Sequence, residues 1–397
     1  MSTLVNPNLI TDLQKFGGAD INACFSCGTC TATCPLSDGD AMFPRRIIRY
    51  AQVGMKDELL SSKELWTCYH CGLCSDSCPT EADPGEFMAT ARRYAIASYD
   101  RTGLARILYT KPIAGTVIAV GVAAFFAAFM YRAHGPQDGQ TLALFEFIPD
   151  NLIHWTGIAV MALMVLAGIV GVASMVRGIM RREDVTLRTM VSGDGALTRS
   201  LAAAWSSVGV ESLGQRRYRE DCKDDQPTEP WWRRRWFIHA LTIWGFLGLL
   251  AATLIDWGLA LTGIKETGTP VPLWYPSRLL GTVAGLSLIY GVSMFMLNRA
   301  TGYNRAATKS QASDWLLLVL LLVTGLTGFV IEVALYLPGA PAWGYWVFLF
   351  HVAVAMELML LLPFTKFAHA IYRPVALFFY ALAGSKVPQD AQTARIG

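Results

Sequence analysis

Two textures divide this chain of 397 residues. Up to about residue 110, polar and apolar positions are mixed. Beyond it come six apolar stretches, near residues 112–131, 152–176, 236–261, 277–298, 314–336 and 342–371. Each approaches the roughly 20 apolar residues that a helix needs to cross a bilayer. Trp155, Trp236, Trp257, Trp274, Trp315 and Trp343 stand near their ends, as in an aromatic belt at the membrane boundary. In the first part, Ile47, Ile48, Ala51 and Val53 recur among charges as on one helix face, and residues 83–97 read as another helix. The pattern predicts a mainly α protein. Residues 1–100 form a soluble domain, and 101–111 (RTGLARILYTK) a basic amphipathic link at the membrane surface. Residues 112–376 form a six-span bundle with a long polar loop at 178–235, and 377–397 a C-terminal tail that is disordered from about 384.

Charge orients the spans. The 178–235 loop carries Arg181, Arg182, Arg188, Arg199, Arg216 and further basic residues, and the loop after the fourth span carries Arg299, Arg305 and Lys309. The alternate loops carry only Arg132 and Lys265. Basic loops stay cytoplasmic, and no basic-then-apolar leader opens the chain. A multi-pass protein of the inner membrane is therefore expected, with both termini in the cytoplasm. Composition agrees: 53% of residues are hydrophobic and 16% charged, against about 25% charged in ordinary soluble domains. The net charge of +3 is small. No basic run interleaved with exposed aromatics suggests nucleic-acid binding.

Eight of nine cysteines lie in two runs. CFSCGTCTATCP supplies Cys24, Cys27, Cys30 and Cys34; CYHCGLCSDSCP supplies Cys68, Cys71, Cys74 and Cys78. Both read C-x2-C-x2-C-x3-C-P, the bacterial ferredoxin run, whose fourth cysteine serves the other cluster. Three thiolates at this spacing wrap one corner of a cubane, and the proline turns the chain away. One [4Fe–4S] cluster is thus assigned to Cys24, Cys27, Cys30 and Cys78, the other to Cys68, Cys71, Cys74 and Cys34. The fold expected is a helical dicluster ferredoxin domain on a six-helix transmembrane bundle. Structural zinc sites commonly use two C-x2-C pairs, which fits two complete four-cysteine runs poorly. His70 is expected to tune the second cluster as a neighbour, Arg45, Arg46 and Arg49 to form a solvated face, and Cys222 to be an ordinary free thiol.

Ionisable side chains at membrane depth are costly and mark function by default. His351 and His369 are 18 residues apart in the last apolar stretch. On one helix that is about five whole turns and about 27 Å, so both would point the same way at opposite faces, with Pro363 between them. Neutral imidazoles fill both axial positions of a haem b iron. His239 is the expected partner of His369 on the inner side, and His154 that of His351 on the outer side; His134 is a weaker outer candidate. Gly245 and Gly248 offer room for the macrocycle, and the cytoplasmic arginines are available to its propionates. Asp256, Glu332 and Glu357 are the candidate proton carriers for quinone chemistry.

The cysteine segments resemble the C subunit of heterodisulfide reductase. The last five spans are similar to the haem-b subunit of heterodisulfide reductase and the γ subunit of respiratory nitrate reductase. There the last helix carries two haem histidines at the spacing of His351 and His369, and an earlier helix opens with one placed like His239 in FIHALTIWGFLG. That helix normally bears a second histidine ten residues on; here the position is Leu249, and His154 is the substitute. The fusion of both modules resembles the C-subunit family of quinone-interacting membrane-bound oxidoreductase (Qmo) complexes. The resemblance implies two flavoproteins similar to the A subunit of heterodisulfide reductase (QmoA and QmoB) as partners, and electron exchange with adenylylsulfate (APS) reductase in dissimilatory sulfur metabolism. The function expected is electron transfer between those partners and quinone through two clusters and two b haems. A heterodisulfide-reductase-like quinone oxidoreductase component with other soluble partners is the alternative. A transporter would not need eight cluster-type cysteines, and a zinc-binding sensor would leave the histidines to packing.

Overall fold

The computed structural model describes residues 5–17, 21–37, 42–137, 142–193, 195–221, 229–265, 271–303 and 309–384. Cys222, Arg305 and the expected disordered end of the tail, 385–397, lie outside them. Among the described residues the structure is helical, with no strand.

Short helices around the cysteine runs pack on the long helix Pro84–Tyr99. That helix starts where it does for two reasons. Pro84 stands in the first turn, where its missing N–H costs nothing, and the Asp83 side chain accepts from the Glu86 N–H at 3.2 Å. It is buried nearly all round because one side meets the ferredoxin core and the other meets the membrane bundle. Helix Arg45–Gln52 buries Ile47, Ile48 and Ala51 in the same core, as its apolar spacing requires.

Six helices among the described residues are long and apolar enough to cross a membrane: Pro112–Tyr131, Asp150–Arg182, Arg235–Leu261, Pro276–Thr301, Ala312–Tyr336 and Trp343–Phe364. The first five match the expected stretches closely. The sixth does not. Regular helix stops at Leu361, a 3-10 turn covers Leu362–Phe364, Thr365 is extended, a second 3-10 turn covers Lys366–Ala368, and a new helix runs His369–Gly384. Pro363 explains the break, since it has no N–H to donate and its ring crowds the carbonyl four residues back. His351 and His369 therefore do not share one straight helix.

Three further expectations are corrected. Gly245 and Gly248 do not line a cofactor space: an added Cβ would meet the Leu288 backbone N at 2.6 Å and the Ala284 Cβ at 2.7 Å, so they let the third span approach the fourth. The 178–235 loop is not simply polar. It continues the second span to Arg182 and then forms helices Leu187–Val191, Ala196–Trp205 and Arg216–Asp221, with a π-helical turn at Ser206–Leu213. Leu197, Leu201 and Trp205 form an exposed apolar stripe at helical spacing. The tail does not begin at 377, because Leu377, Phe379 and Leu382 are buried on the last helix.

The linking segment becomes helix Leu104–Thr110, and its Ala105, Leu108 and Tyr109 pack into the ferredoxin core. The basic loops converge on that same domain. Arg182 donates to the Glu58 carbonyl at 2.8 Å and the Ser62 hydroxyl at 2.6 Å, and Lys309 pairs with Asp83 at 2.8 Å.

Candidate functional site

The two cysteine runs fold alike. Ser26 and His70, each just before the second cysteine, have φ of +66° and +57°. Gly28 and Gly72, just after it, have φ of +94° and +97°. Such left-handed residues turn successive backbone N–H groups inward, the concavity common at anionic iron–sulfur sites. A Cβ on Gly28 would also meet the Arg45 guanidinium at 2.9 Å.

Two cavities result. Cys24, Cys27, Cys30 and Cys78 line one; Cys34, Cys68, Cys71 and Cys74 line the other, with His70. In each, three cysteines of one run meet the fourth of the other. Among the described residues no three His, Cys, Asp or Glu side chains close on a single-ion position; the sulfurs surround larger spaces. Burial pushes the Cys34 thiol up to about 12 and also raises Cys30 and Cys74. These sulfurs become thiolates only when metal displaces the proton, so loading releases protons. The His70 N–H donates to Cys68 Sγ at 3.3 Å, and Thr29 Oγ1 lies 3.3 Å from Cys27 Sγ. Hydrogen bonds to sulfur are among the determinants of cluster potential.

Beneath the second cavity, His239 and His369 face each other with ring centroids 6.2 Å apart. Two metal–imidazole bonds of about 2 Å each, plus the two ring radii, give about that separation. His239 Nδ1 lies 3.1 Å from Gln215 Oε1, and His369 Nδ1 lies 2.6 Å from the Lys366 carbonyl. Both partners are proton-free oxygens, so each Nδ1 carries the proton and each Nε2 keeps a lone pair, the tautomer that metal-bound histidines take. Two buried donors beside this pair, Gln215 Nε2 and Arg373 Nη2, have no acceptor. A bis-histidine haem with carboxylate propionates fits this donor set.

The outer pair is not brought together. His351 Nδ1 is 2.9 Å from Thr327 Oγ1, which itself donates to the Val323 carbonyl at 2.7 Å; His351 Nδ1 must then be protonated. His154 Nδ1 lies 3.1 Å from the Asp150 carbonyl in its own helix, and its ring lies against Trp257. No ring contact joins His154 to His351 among the described residues. His134 stacks on Tyr131 at 4.3 Å. Of the three acids, Glu332 pairs with Arg278 at 2.6 Å, and Asp256 bonds Lys265 and Ser277. Glu357 is buried, and its Oε1 has no hydrogen-bond partner.

Residues unmarked by any motif complete the site. Asp314, buried at the start of the fifth span, meets Lys366 at 3.0 Å, Arg93 at 3.2 Å and Arg299 at 3.7 Å, and Arg93 also pairs with Glu86 at 2.9 Å. This network ties the ferredoxin domain to the bundle. Gln215, Tyr218, Arg235 and Arg373 carry no local signal, since their partners are far away in sequence.

Residues 20–82 match the family of 4Fe-4S dicluster domains, and residues 143–391 match the family described as Citrate utilization protein B. Citrate utilization protein B of Escherichia coli is 24% identical over 378 residues, 94% of this chain and 85% of that protein. The C subunit of the H(2):CoB-CoM heterodisulfide,ferredoxin reductase of Methanothermobacter thermautotrophicus is 44% identical over 54 residues, 14% of this chain and 29% of that protein. A protein of Archaeoglobus profundus, described as like the C subunit of heterodisulfide reductase, is 34% identical over 103 residues, 24% of this chain and 54% of that protein. The chain thus spans most of the E. coli protein and less than two thirds of either of the others. Its N-terminal part is a dicluster iron–sulfur electron-transfer domain of the type found in heterodisulfide reductase C subunits.

Proposed function

The chain belongs to the citrate utilization protein B family, and from that premise we propose that it is the membrane component of a quinone-linked oxidoreductase, carrying electrons between soluble partners and the quinone pool. Cys24, Cys27, Cys30 and Cys78 would hold one [4Fe–4S] cluster, and Cys68, Cys71, Cys74 and Cys34 the other. His239 and His369 would hold a haem b; His351, oriented by Thr327, would serve a second, and His154, the expected partner, would have to leave its contact with the Asp150 carbonyl to reach it. When bound, these groups supply one-electron carriers. The chain's own residues set their surroundings. Gln215 and Lys366 orient the inner imidazoles, Arg373 offers a free donor to a propionate, and Glu357 is the acid best placed to take a proton, since Asp256 and Glu332 are already paired. Residues 1–100 and both termini lie in the cytoplasm, and the spans lie in the inner membrane.

The observation that carries this reading is the His239–His369 pair at 6.2 Å with both Nδ1 atoms engaged. For the soluble side, APS reductase and flavoproteins like the A subunit of heterodisulfide reductase (QmoA and QmoB) are the proposed partners, on the resemblance of the two fused modules to the C subunit of Qmo complexes. The chain-wide likeness to a citrate utilization protein favours a second reading, the same wire serving a different soluble oxidoreductase. A redox titration by optical and EPR spectroscopy, with iron and haem counted, tests the proposal. About eight cluster irons per chain and b-haem signals are expected. Zinc in place of iron, or no haem, would overturn it.

A further inference from the structure

We infer that the cavity ringed by Cys34, Cys68, Cys71 and Cys74 is the one wired to the membrane histidines, and that Tyr69, Tyr218 and His239 form the packed bridge between them, held by Arg373. This rests on the redox reading above and adds an order of the clusters and a route.

Tyr69 lies in the second cysteine loop, directly after Cys68. Its ring stacks on Tyr218 at 5.2 Å with planes 14° apart, and Tyr218 meets the His239 ring edge-on at 5.4 Å. Tyr218 is buried and comes from the loop between the second and third spans. The bridge thus joins three separate parts of the chain without a gap.

Arginines from both histidine-bearing helices fix its position. Arg373, one turn beyond His369, donates through Nη1 to the carbonyls of Trp66, Thr67 and Cys68 at 2.9, 3.2 and 3.3 Å. Its guanidinium also lies 4.4 Å from the Tyr69 ring centroid. Arg235, one turn before His239, donates to the His70 carbonyl at 3.0 Å. Arg92 adds a bond to the Cys68 carbonyl at 2.9 Å. Each inner histidine is therefore tied, four residues away on its own helix, to the backbone of the same cysteine loop. The other cavity is lined entirely by residues 24–84 of the ferredoxin domain, with Phe25 and Cys27 exposed. It faces outward.

The step moves one electron. With both groups bound, it would leave the reduced cluster, returning that cluster to its oxidised state, and would reduce the ferric haem that His239 and His369 would hold. No bond is made or broken, no proton moves, and neither tyrosine changes oxidation state. What Tyr69 and Tyr218 supply is contiguous ring contact.

The test uses the full-length, cofactor-loaded protein. In the unaltered chain, the ferric haem should speed the spin relaxation of one reduced cluster far more than the other; Cys27→Ser, which alters the outward cluster's EPR signal, tells the two apart. The fast-relaxing signal should be the one that Cys27→Ser leaves unchanged. Tyr218→Leu should slow haem reduction by pre-reduced clusters severalfold, with haem content, iron content and midpoint potentials unchanged. Tyr218→Phe should keep the original rate, because the ring and not the hydroxyl makes the contact. Fast relaxation of the cluster that Cys27→Ser alters would overturn the inference, as would an undiminished rate in Tyr218→Leu. If Tyr218→Leu loses its haem, the relaxation measurement, which needs no change at Tyr218, decides. Failure of the wider reading looks different: the unaltered protein would contain no haem or no cluster iron.

Discussion

The two ends of the helical bundle handle their polar residues differently. Under the ferredoxin domain, His239 and His369 face each other, their Nδ1 atoms are occupied, and donors on Gln215 and Arg373 are left without acceptors. At the far end, Asp256 and Glu332 are each matched by a cation, and His154 Nδ1 lies against the Asp150 carbonyl of its own helix. Both ends put ionisable groups into an apolar setting. Each end also leaves buried polar atoms unpaired, Asp150 Oδ1 and Arg278 Nε at the far one; the difference, among the described residues, is that the near end sets its orphans beside two facing imidazoles. A saturated pair explains itself structurally, whereas oriented imidazoles beside orphaned donors describe a space that another group must complete.

The largest way to break this contrast is at the near end. His369→Ala or His239→Ala should abolish the inner haem, read as loss of one b-haem from the optical spectrum with cluster iron retained. His154→Ala should leave that signal intact. Next comes the ionic joint. Asp314→Asn removes the carboxylate that faces Arg93, Arg299 and Lys366, and breaking such a buried arrangement costs about 3–5 kcal/mol. Thermal unfolding in detergent should show it, while Glu332→Gln at the far end should show a clearly smaller loss. Thr327→Val would strand the His351 Nδ1–H, at about 1–3 kcal/mol for a buried unsatisfied donor. It should shift any outer haem potential without touching the inner one.

The smallest effect belongs to the half-exposed Lys309–Asp83 pair. Lys309→Ala should cost no more than about 1 kcal/mol, and added salt should erase the difference. Burial works against the Asp83 carboxylate, but hydrogen bonds from Lys309 and Ser75 prevail and hold it below the usual range. A depressed carboxylate stabilises the fold above its unfolded value, about 3.9 for Asp, and that contribution disappears as pH falls through the lower folded value. Asp83→Asn should remove this acid-range dependence from unfolding curves.

Much of the architecture is legible in the residues. The eight cysteines announce their grouping by spacing, because three ligands on one tight turn leave little freedom. The first five spans are visible as apolar runs, because a bilayer imposes length directly. The sixth apolar run is longer than its helix, since apolar residues continue through Pro363 while a regular helix does not. His239 and His369 do face each other, although the straight helix behind that expectation does not exist. Tyr218 and Gln215 escape notice for a different reason. They lie in a segment whose arginines mask the helical stripe of Leu197, Leu201 and Trp205, and their roles depend on contacts far away in sequence. Gly245 and Gly248 show the converse: small residues mark close approach, but their neighbours decide whether a helix or a cofactor uses it.

The break at 362–368 also redraws the border between the two halves of the molecule. Helix Trp343–Leu361 packs with the other spans, whereas Tyr372, Ala376, Phe379 and Leu382 beyond the break share one core with Trp66, Tyr99 and the rest of the ferredoxin domain. Tyr372 lies against Trp66 at 5.3 Å and Tyr99 at 5.2 Å. The architectural unit that carries the cysteines is therefore assembled from both ends of the chain. A fragment cut near residue 100 would lack a wall of its own interior, and a truncation after residue 361 would strip the same wall from the opposite direction.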